Sequence, residues 1–192
     1  MKIFMSCWRW PILLLLYLIC DKEEKDNIFA DVYESVKWEL NYKSIPFFWC
    51  LVYEMKARKS SRNILFYRTK RHKIVSAICR FFWPIAESVE IGASHIGPGL
   101  TIPHGNVILF ANSIGDNCHV CPGVVVGQIN SGLFPIIGNN VLLGANSTVL
   151  GNIRIGDNVK IGAACYIREN IEDNSLVFAT SSNIYVKEQK PE

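Results

Sequence analysis

An aliphatic residue returns at every sixth position through the middle of the chain: Ile96, Ile102, Ile108, Ile114, Val120 and Val126. After one interruption the series resumes at Ile137, Leu143, Val149, Ile155, Ile161 and Ile167. A helix buries every third or fourth residue and a half-buried strand every second, so neither explains a period of six. A fixed short period held this long marks a solenoid. Three hexads close one coil with three flat faces, one aliphatic side chain per hexad points at the axis, and stacked coils bury each other's rows. The pattern therefore predicts a mainly β chain, a parallel β-helix of about four coils. It occupies residues 88–186, after a helical region at 1–87 and before a tail at 187–192.

Glycine follows the aliphatic position at Gly97, Gly115, Gly127, Gly138, Gly144, Gly156 and Gly162. The chain turns there, and glycine tolerates unusual backbone angles. The pairs Asp116-Asn117, Asn139-Asn140 and Asp157-Asn158 suit the same corners, because Asn and Asp accept left-handed conformations. A second inward site precedes the aliphatic one by two residues, at Ser94, Cys118, Val124, Val141, Ser147, Ile153, Val159 and Cys165. Val126 and Ile137 are eleven residues apart, so Gln128–Pro135 is thrown out as a loop. Loops leaving a rigid scaffold often carry function.

The first region follows a different pattern. Residues 11–40 read as helix broken by a polar stretch, with Leu13, Leu16 and Tyr17 on one face. Ile28, Val32 and Val36 share another face, and Asp31 and Glu34 among them are expected to face water. Phe47–Met55 resumes as helix after Pro46, and Pro84 marks the boundary. The apolar run Trp10–Cys20 is 11 residues long, against about 20 for a membrane-spanning helix. Asp21-Lys22-Glu23-Glu24 follows it in place of a small-residue cleavage site, so a buried or interface helix fits better than a signal peptide.

Charge sharpens the division. Residues 1–87 hold 15 Lys and Arg against 9 Asp and Glu, and residues 88–192 hold 5 against 8, giving +6 and −3. Eight cations and no acid lie within 56–73. A solvated helix face explains them; attraction to acidic lipid headgroups or a charged substrate is the functional reading, with peripheral membrane contact left open. Base-reading motifs are absent, so nucleic acid is not an expected partner. Seven scattered cysteines suit reduced thiols in a cytoplasmic chain better than a disulfide framework. Cys118-x-x-Cys121 is half of a zinc site with no second pair, so both are read as structural and no metal is expected.

The segment Gly99-Leu-Thr-Ile-Pro-His104-Gly-Asn-Val-Ile108, then Ile114-Gly-Asp-Asn-Cys-His119, the loop, and Ile137 through Asn158 carry a resemblance. They resemble the serine acetyltransferase branch of the hexapeptide-repeat acyltransferases, most closely the shorter type linked to bacterial polysaccharide biosynthesis. Arg62-Asn-Ile-Leu-Phe-Tyr-Arg68 resembles the lead-in of that group. The resemblance implies a left-handed β-helix, a homotrimer, and acetyl-CoA bound in the groove between subunits. It also implies that His104 acts as general base, taking the proton of an acceptor hydroxyl that attacks the thioester. Imidazole suits that task because its pKa lies close to neutrality. Gly144-Ala145 and Gly162-Ala163 lie at equivalent corners one coil apart. Small residues there would let a pantetheine arm lie against the backbone, and a tight corner explains them equally well.

Three positions depart from that family. Pro103 stands where serine acetyltransferases have an Asp, and Leu133-Phe134-Pro135 where they have an Arg-His pair. Phe178-Ala-Thr-Ser181 replaces the usual Gly-x-Pro-Ala closure. The expected function is acetyl-CoA-dependent O-acetylation of serine or, better suited to the departures, of a saccharide. The alternative is a non-catalytic scaffold or regulatory subunit. A hydrolase using three His ligands would need His95, His104 and His119, which are irregularly placed. His119 lines a cleft or is merely exposed, and His72 adds to the basic stretch.

Overall fold

The computed structural model describes residues 14–15, 18–39, 59–82, 88–130, 132–179 and 184–188. The readings at Pro46, Phe47–Met55 and Pro84 lie outside them. Among the described residues, the delimited helices are α1 (Lys22–Glu39), α2 (Lys59–Arg68) and α3 (Lys73–Phe82). Asp21 opens α1 with a reciprocal cap. Its carboxylate accepts from the Glu24 amide at 2.8 Å, and Glu24 accepts from the Asp21 amide at 3.0 Å. This satisfies two of the orphan N–H groups at the helix start. Ile28 and Val32 are buried as the spacing predicts. Among the described residues no helix is long and apolar enough to cross a membrane.

Among the described residues fourteen short strands follow, β1 (Val89–Ile91) to β14 (Ile184–Glu188). They form the three faces of a left-handed parallel β-helix. The first face stacks β1, β3 (Val107–Leu109), β6 (Val125–Gly127), β9 (Thr148–Leu150) and β12 (Tyr166–Ile167). The second stacks β2 (His95–Ile96), β4 (Ser113–Ile114), β7 (Ile136–Ile137) and β10 (Arg154–Ile155). The third stacks β5 (His119–Val120), β8 (Leu142–Leu143), β11 (Lys160–Ile161) and β13 (Ser175–Ala179), and β14 closes it antiparallel. That closing strand runs through Lys187 and Glu188, past the boundary at 186 drawn from the sequence.

Inside the prism, Ile114, Val120, Val126, Leu143, Val149, Ile155 and Ile161 are fully buried. Complete burial of each such side chain stabilises by about 1.5–3 kcal/mol. Ile137 pairs with Ile155, 18 residues on, but Ile114 pairs with Ile137, 23 residues on. The five extra residues belong to the loop at Gln128–Pro135. The last hexad series is intact, whereas the first slips. Ile108, read as an axis residue, is 40% exposed, and Val107 and Leu109 on either side are fully buried. Leu109, not Ile108, pairs with the axis residue Val126. The step from Ile102 is therefore seven residues and the next, to Ile114, five. Ser94 is likewise exposed rather than inward, Leu100 is buried two residues before Ile102, and Ala111 fills inward space that the strict period does not assign.

The corner asparagines take the left-handed conformation as expected, whereas the corner glycines serve another purpose. The left-handed residues at the edge between the second and third faces are Asn117, Asn140, Asn158 and Asn174, with φ of 54–59°. The glycines beside them are needed for space. A Cβ added to Gly138 would lie 2.6 Å from the carbonyl oxygen of Gly156 in the next coil. Each Asn donates its side-chain amide to the Asn one coil on: Asn117 to Asn140 at 3.2 Å, Asn140 to Asn158 at 3.1 Å, and Asn158 to Asn174 at 3.0 Å.

The helices are tied to the first coil. Asp31, expected to face water, is buried. It accepts two bonds from Arg68, at 2.9 and 3.0 Å, and the amides of Gly99 and Leu100 at 2.9 and 2.8 Å. Arg68 also donates to the carbonyls of Ile96 and Gly97. Burial pushes the Asp31 carboxyl upward, against the lowering pull of Arg68 and the two amides. A buried pair of this kind fixes geometry more than it stabilises. Asn63 and Tyr67 donate to the carbonyls of Val89 and Ala93, both at 2.8 Å. Three cations of the basic stretch are structural: Arg62 is buried, Arg68 holds Asp31, and Arg71 pairs with Asp21 and Glu24.

Candidate active site

The edge between the third and first faces gathers every site residue read from the sequence. Its corners are Pro103–Asn106 in the first coil, Cys121–Gly123 in the second, Gly144–Ser147 in the third and Gly162–Cys165 in the fourth. Backbone bonds climb it coil by coil. The Gly123 amide donates to Asn106 at 2.8 Å, Asn146 to Pro122 at 2.9 Å, and Ala164 to Ala145 at 2.8 Å. Coils spaced about 4.8 Å apart put Gly162 roughly 14 Å along this edge from His104.

His104 occupies the corner with the extra residue. It is exposed, and among the described residues nothing binds its imidazole. The seven-residue step gives this corner one more residue than the others. Ser88 pins the turn behind it. Its hydroxyl accepts from the Asn106 amide at 3.2 Å and its carbonyl from Val107 at 2.8 Å. Asn106 takes a left-handed φ of 60°. Ser88 was not legible in the sequence, since it lies a full coil away and matches no motif. Pro103 provides no side-chain acceptor for His104, so the orientation of the ring is left to the backbone and to whatever binds.

Gly144, Ala145, Gly162 and Ala163 stack on one another as the repeat predicts. A Cβ on Gly144 would sit 2.5 Å from the Gly162 carbonyl carbon and the Ile161 oxygen, so glycine is required for coil packing. Ala163 and Ala164 are exposed, and Ala164 holds a left-handed φ of 58°. The outer surface of the edge is therefore low and open beside the backbone. Lys160 points outward from the third face two residues before the Gly162 corner. It is a cation within a short reach of this edge that the sequence reading did not single out.

The other candidates fall elsewhere. His95 projects from the second face and His119 from the third, one coil beyond Thr101, so the three histidines do not group. Cys118 is fully buried and burial pushes its thiol up to about 12, whereas Cys121 lies half-buried at the corner. The loop leaves from the edge between the first and second faces. Within it Gly132 donates to the Gln128 side chain at 2.9 Å, and Phe134 stacks on Phe110 with ring centres 6.4 Å apart. Ile129 and Leu133 are exposed, and no residue from Gln128 to Pro135 is charged. The loop and His104 thus occupy different edges of the same chain.

Residues 134–169 match the bacterial transferase hexapeptide family (six repeats), and residues 113–128 match the hexapeptide repeat of succinyl-transferase. The serine acetyltransferase of Staphylococcus epidermidis is 33% identical over 130 residues, 64% of this chain and 60% of that protein. The Staphylococcus aureus enzyme is 36% identical over 117 residues, 58% and 54% of the two chains. Two stretches of the chain thus match hexapeptide-repeat models, and the chain is similar to serine acetyltransferases. It spans 60% or less of the length of these relatives. Among solved structures, Neisseria gonorrhoeae serine acetyltransferase superposes with a TM-score of 0.70 at 21% identity, over 94% of this chain and 71% of that one. A serine acetyltransferase in complex with CoA superposes at 0.66 and 19% identity, over 91% and 74%. These likenesses establish the fold, a left-handed β-helix behind N-terminal helices.

Proposed function

We infer that the protein is an acetyl-CoA-dependent O-acetyltransferase whose site runs along the third-to-first edge. The observation that carries this reading is the alignment of an exposed His104, on its enlarged corner, with the low Gly144-Ala145 and Gly162-Ala163 corners above it. Acetyl-CoA lies along the alanine corners with its thioester near His104. The imidazole accepts the acceptor's hydroxyl proton as the oxygen attacks the thioester carbonyl, and the collapse of the tetrahedral adduct releases CoA thiol. General-base help of this kind is worth about 10²–10⁴-fold. Backbone amides of the edge are the available donors for the oxyanion.

His104 and the extruded loop occupy different edges, so one chain alone does not assemble a closed acceptor pocket. A homotrimer, in which a second copy's loop completes the pocket at His104, belongs to this reading. The relatives named serine acetyltransferases support serine as the acceptor class. Pro103 and the uncharged loop favour a saccharide instead, since neither offers a charge to hold an amino acid's ammonium and carboxylate. The apolar surface of Phe110, Phe134, Ile129 and Leu133 suits the face of a sugar ring. Incubation with labelled acetyl-CoA and a panel of serine, nucleotide-sugar and oligosaccharide acceptors tests the reading. Transfer to a saccharide above serine is expected. Transfer to serine alone removes the saccharide assignment. No transfer and no CoA binding at millimolar cofactor leaves a non-catalytic β-helix scaffold.

A further inference from the structure

Among the described residues, one cluster of metal-ligating side chains lies away from the edge just described. Cys20, Glu24 and His72 each present a donor atom, and the three donors lie within 4.8 Å of one another. Chain spacing conceals them, because Glu24 and His72 are 48 residues apart. The helical fold brings the start of α1 against the turn that follows α2. We propose that Cys20, Glu24 and His72 form a zinc site that clamps these two segments together.

The donor set argues for that ion. A thiolate, an imidazole and a carboxylate are the mixture that borderline-soft Zn²⁺ takes, whereas calcium and magnesium select oxygen alone. A tetrahedral zinc holds its donors about 3.3–3.7 Å apart, so closure needs side-chain shifts of about 1 Å. His72 Nε2 already lies 3.0 Å from Glu24 Oε2. Glu24 is held in place by two neighbours: its Oε2 accepts from the Asp21 amide at 3.0 Å, and its Oε1 faces Arg71 Nε at 2.9 Å. A carboxylate with one oxygen bound to a guanidinium and the other facing an imidazole is preorganised for a metal. Arg71 reaches Asp21 as well, so the charges balance when thiolate, carboxylate and Zn²⁺ come together. Cys20 is buried, which screens the sulfur from oxidants. Glu24, Asp21 and Arg71 also line a polar cavity of about 220 Å³ beside the cluster.

Binding would displace the thiol proton to solvent, leaving Zn²⁺ on sulfur, Nε2 and one carboxylate oxygen. The clamp would act on the joint to the prism, since α1 carries Asp31 and the turn follows Arg68, the pair that grips the first coil. The proposal is independent of acetyl transfer. The test uses the full chain, stripped with chelator, given one equivalent of Zn²⁺ and dialysed, with metal counted by elemental analysis. About one zinc per chain is expected for the parent and for Cys121→Ser, with a tenfold or greater loss of retention in Cys20→Ser and His72→Ala. Should those variants fold poorly, Co²⁺ loaded into the parent gives the answer without them: a thiolate-to-cobalt charge-transfer band and a raised thermal midpoint are expected. A parent that retains no zinc, a Cys20→Ser chain that retains it fully, or a cobalt spectrum without the thiolate band overturns the site.

Discussion

Two edges of the same prism solve the corner problem in opposite ways. Between the second and third faces, Asn117, Asn140, Asn158 and Asn174 take the left-handed conformation and hand a hydrogen bond from coil to coil. Asp116, Asn139 and Asp157 back them, each amide bonded to the next side chain at 2.7–2.8 Å. Between the third and first faces the coils are joined by backbone bonds, and no side-chain ladder runs along the edge among the described residues. The first edge commits its side chains to the fold, and the second leaves His104, Ala145 and Ala163 facing outward. A solenoid whose axis is fully packed tolerates this asymmetry, because each coil is already held by buried aliphatic rows. One edge can then be built for stability and the other for a ligand.

The largest expected effect separates the two edges by activity. His104→Ala should lower acetyl transfer from acetyl-CoA by about 10²–10⁴-fold and shift stability by no more than about 0.5 kcal/mol, as for other exposed positions. Release of CoA thiol and urea unfolding measure the two. A His104→Ala chain with full transfer would remove the base and, with it, the functional contrast. The opposite signature is expected from Asn140→Ala. It loses its ladder bonds and places alanine at a φ of 54°, a cost of about 1–3 kcal/mol. Transfer per folded molecule should not change. Asn140→Gly keeps the φ and should recover part of that loss, which divides conformation from hydrogen bonding.

Ala163→Leu probes the ligand edge where the side chain faces outward. CoA affinity should fall at least tenfold, about 1.4 kcal/mol, with little change in thermal midpoint. Calorimetric titration reads the affinity, and an unchanged value would move the cofactor off this edge. The smallest effect concerns the axis. The Cys118 thiol is pushed from 9.0 to about 12 by burial. Folded-state pKa above unfolded means its contribution is complete below pH 9 and is lost as pH rises from 9 toward about 12. Unfolding midpoints should therefore decline faster across that window in the parent than in Cys118→Ala, and equal slopes would contradict the burial of this thiol.

The β-helix was legible because its core is a one-dimensional pattern. One aliphatic residue per hexad, repeated from Ile137 to Ile167, leaves no other period. The same strictness misled at Ile108. A fixed step of six assigns it to the axis, but an added residue at the His104 corner moves Leu109 there, and sequence periodicity cannot distinguish adjacent aliphatic residues on this ground. Asp31 was misplaced for a related reason. Helical spacing shows which face a residue shares, not what docks on that face, and its partners Arg68, Gly99 and Leu100 lie 37 or more positions away. The glycines were correctly set at corners for the wrong cause, since crowding by the next coil becomes visible only once the coils are stacked. Of the candidate site, His104 and the alanine corners could be read from local motif and repeat. Their alignment on one edge, and the supporting role of Ser88, required the fold.

Hydrogen exchange of the full chain with and without CoA tests the central claim most directly. Slowed exchange is expected at 121–123, 144–146 and 162–164, with residues 115–117, 138–140 and 156–158 of the Asn edge unchanged. Protection confined to the Asn edge, or no protection at either, would contradict the assignment of the third-to-first edge as the acetyl-transfer site.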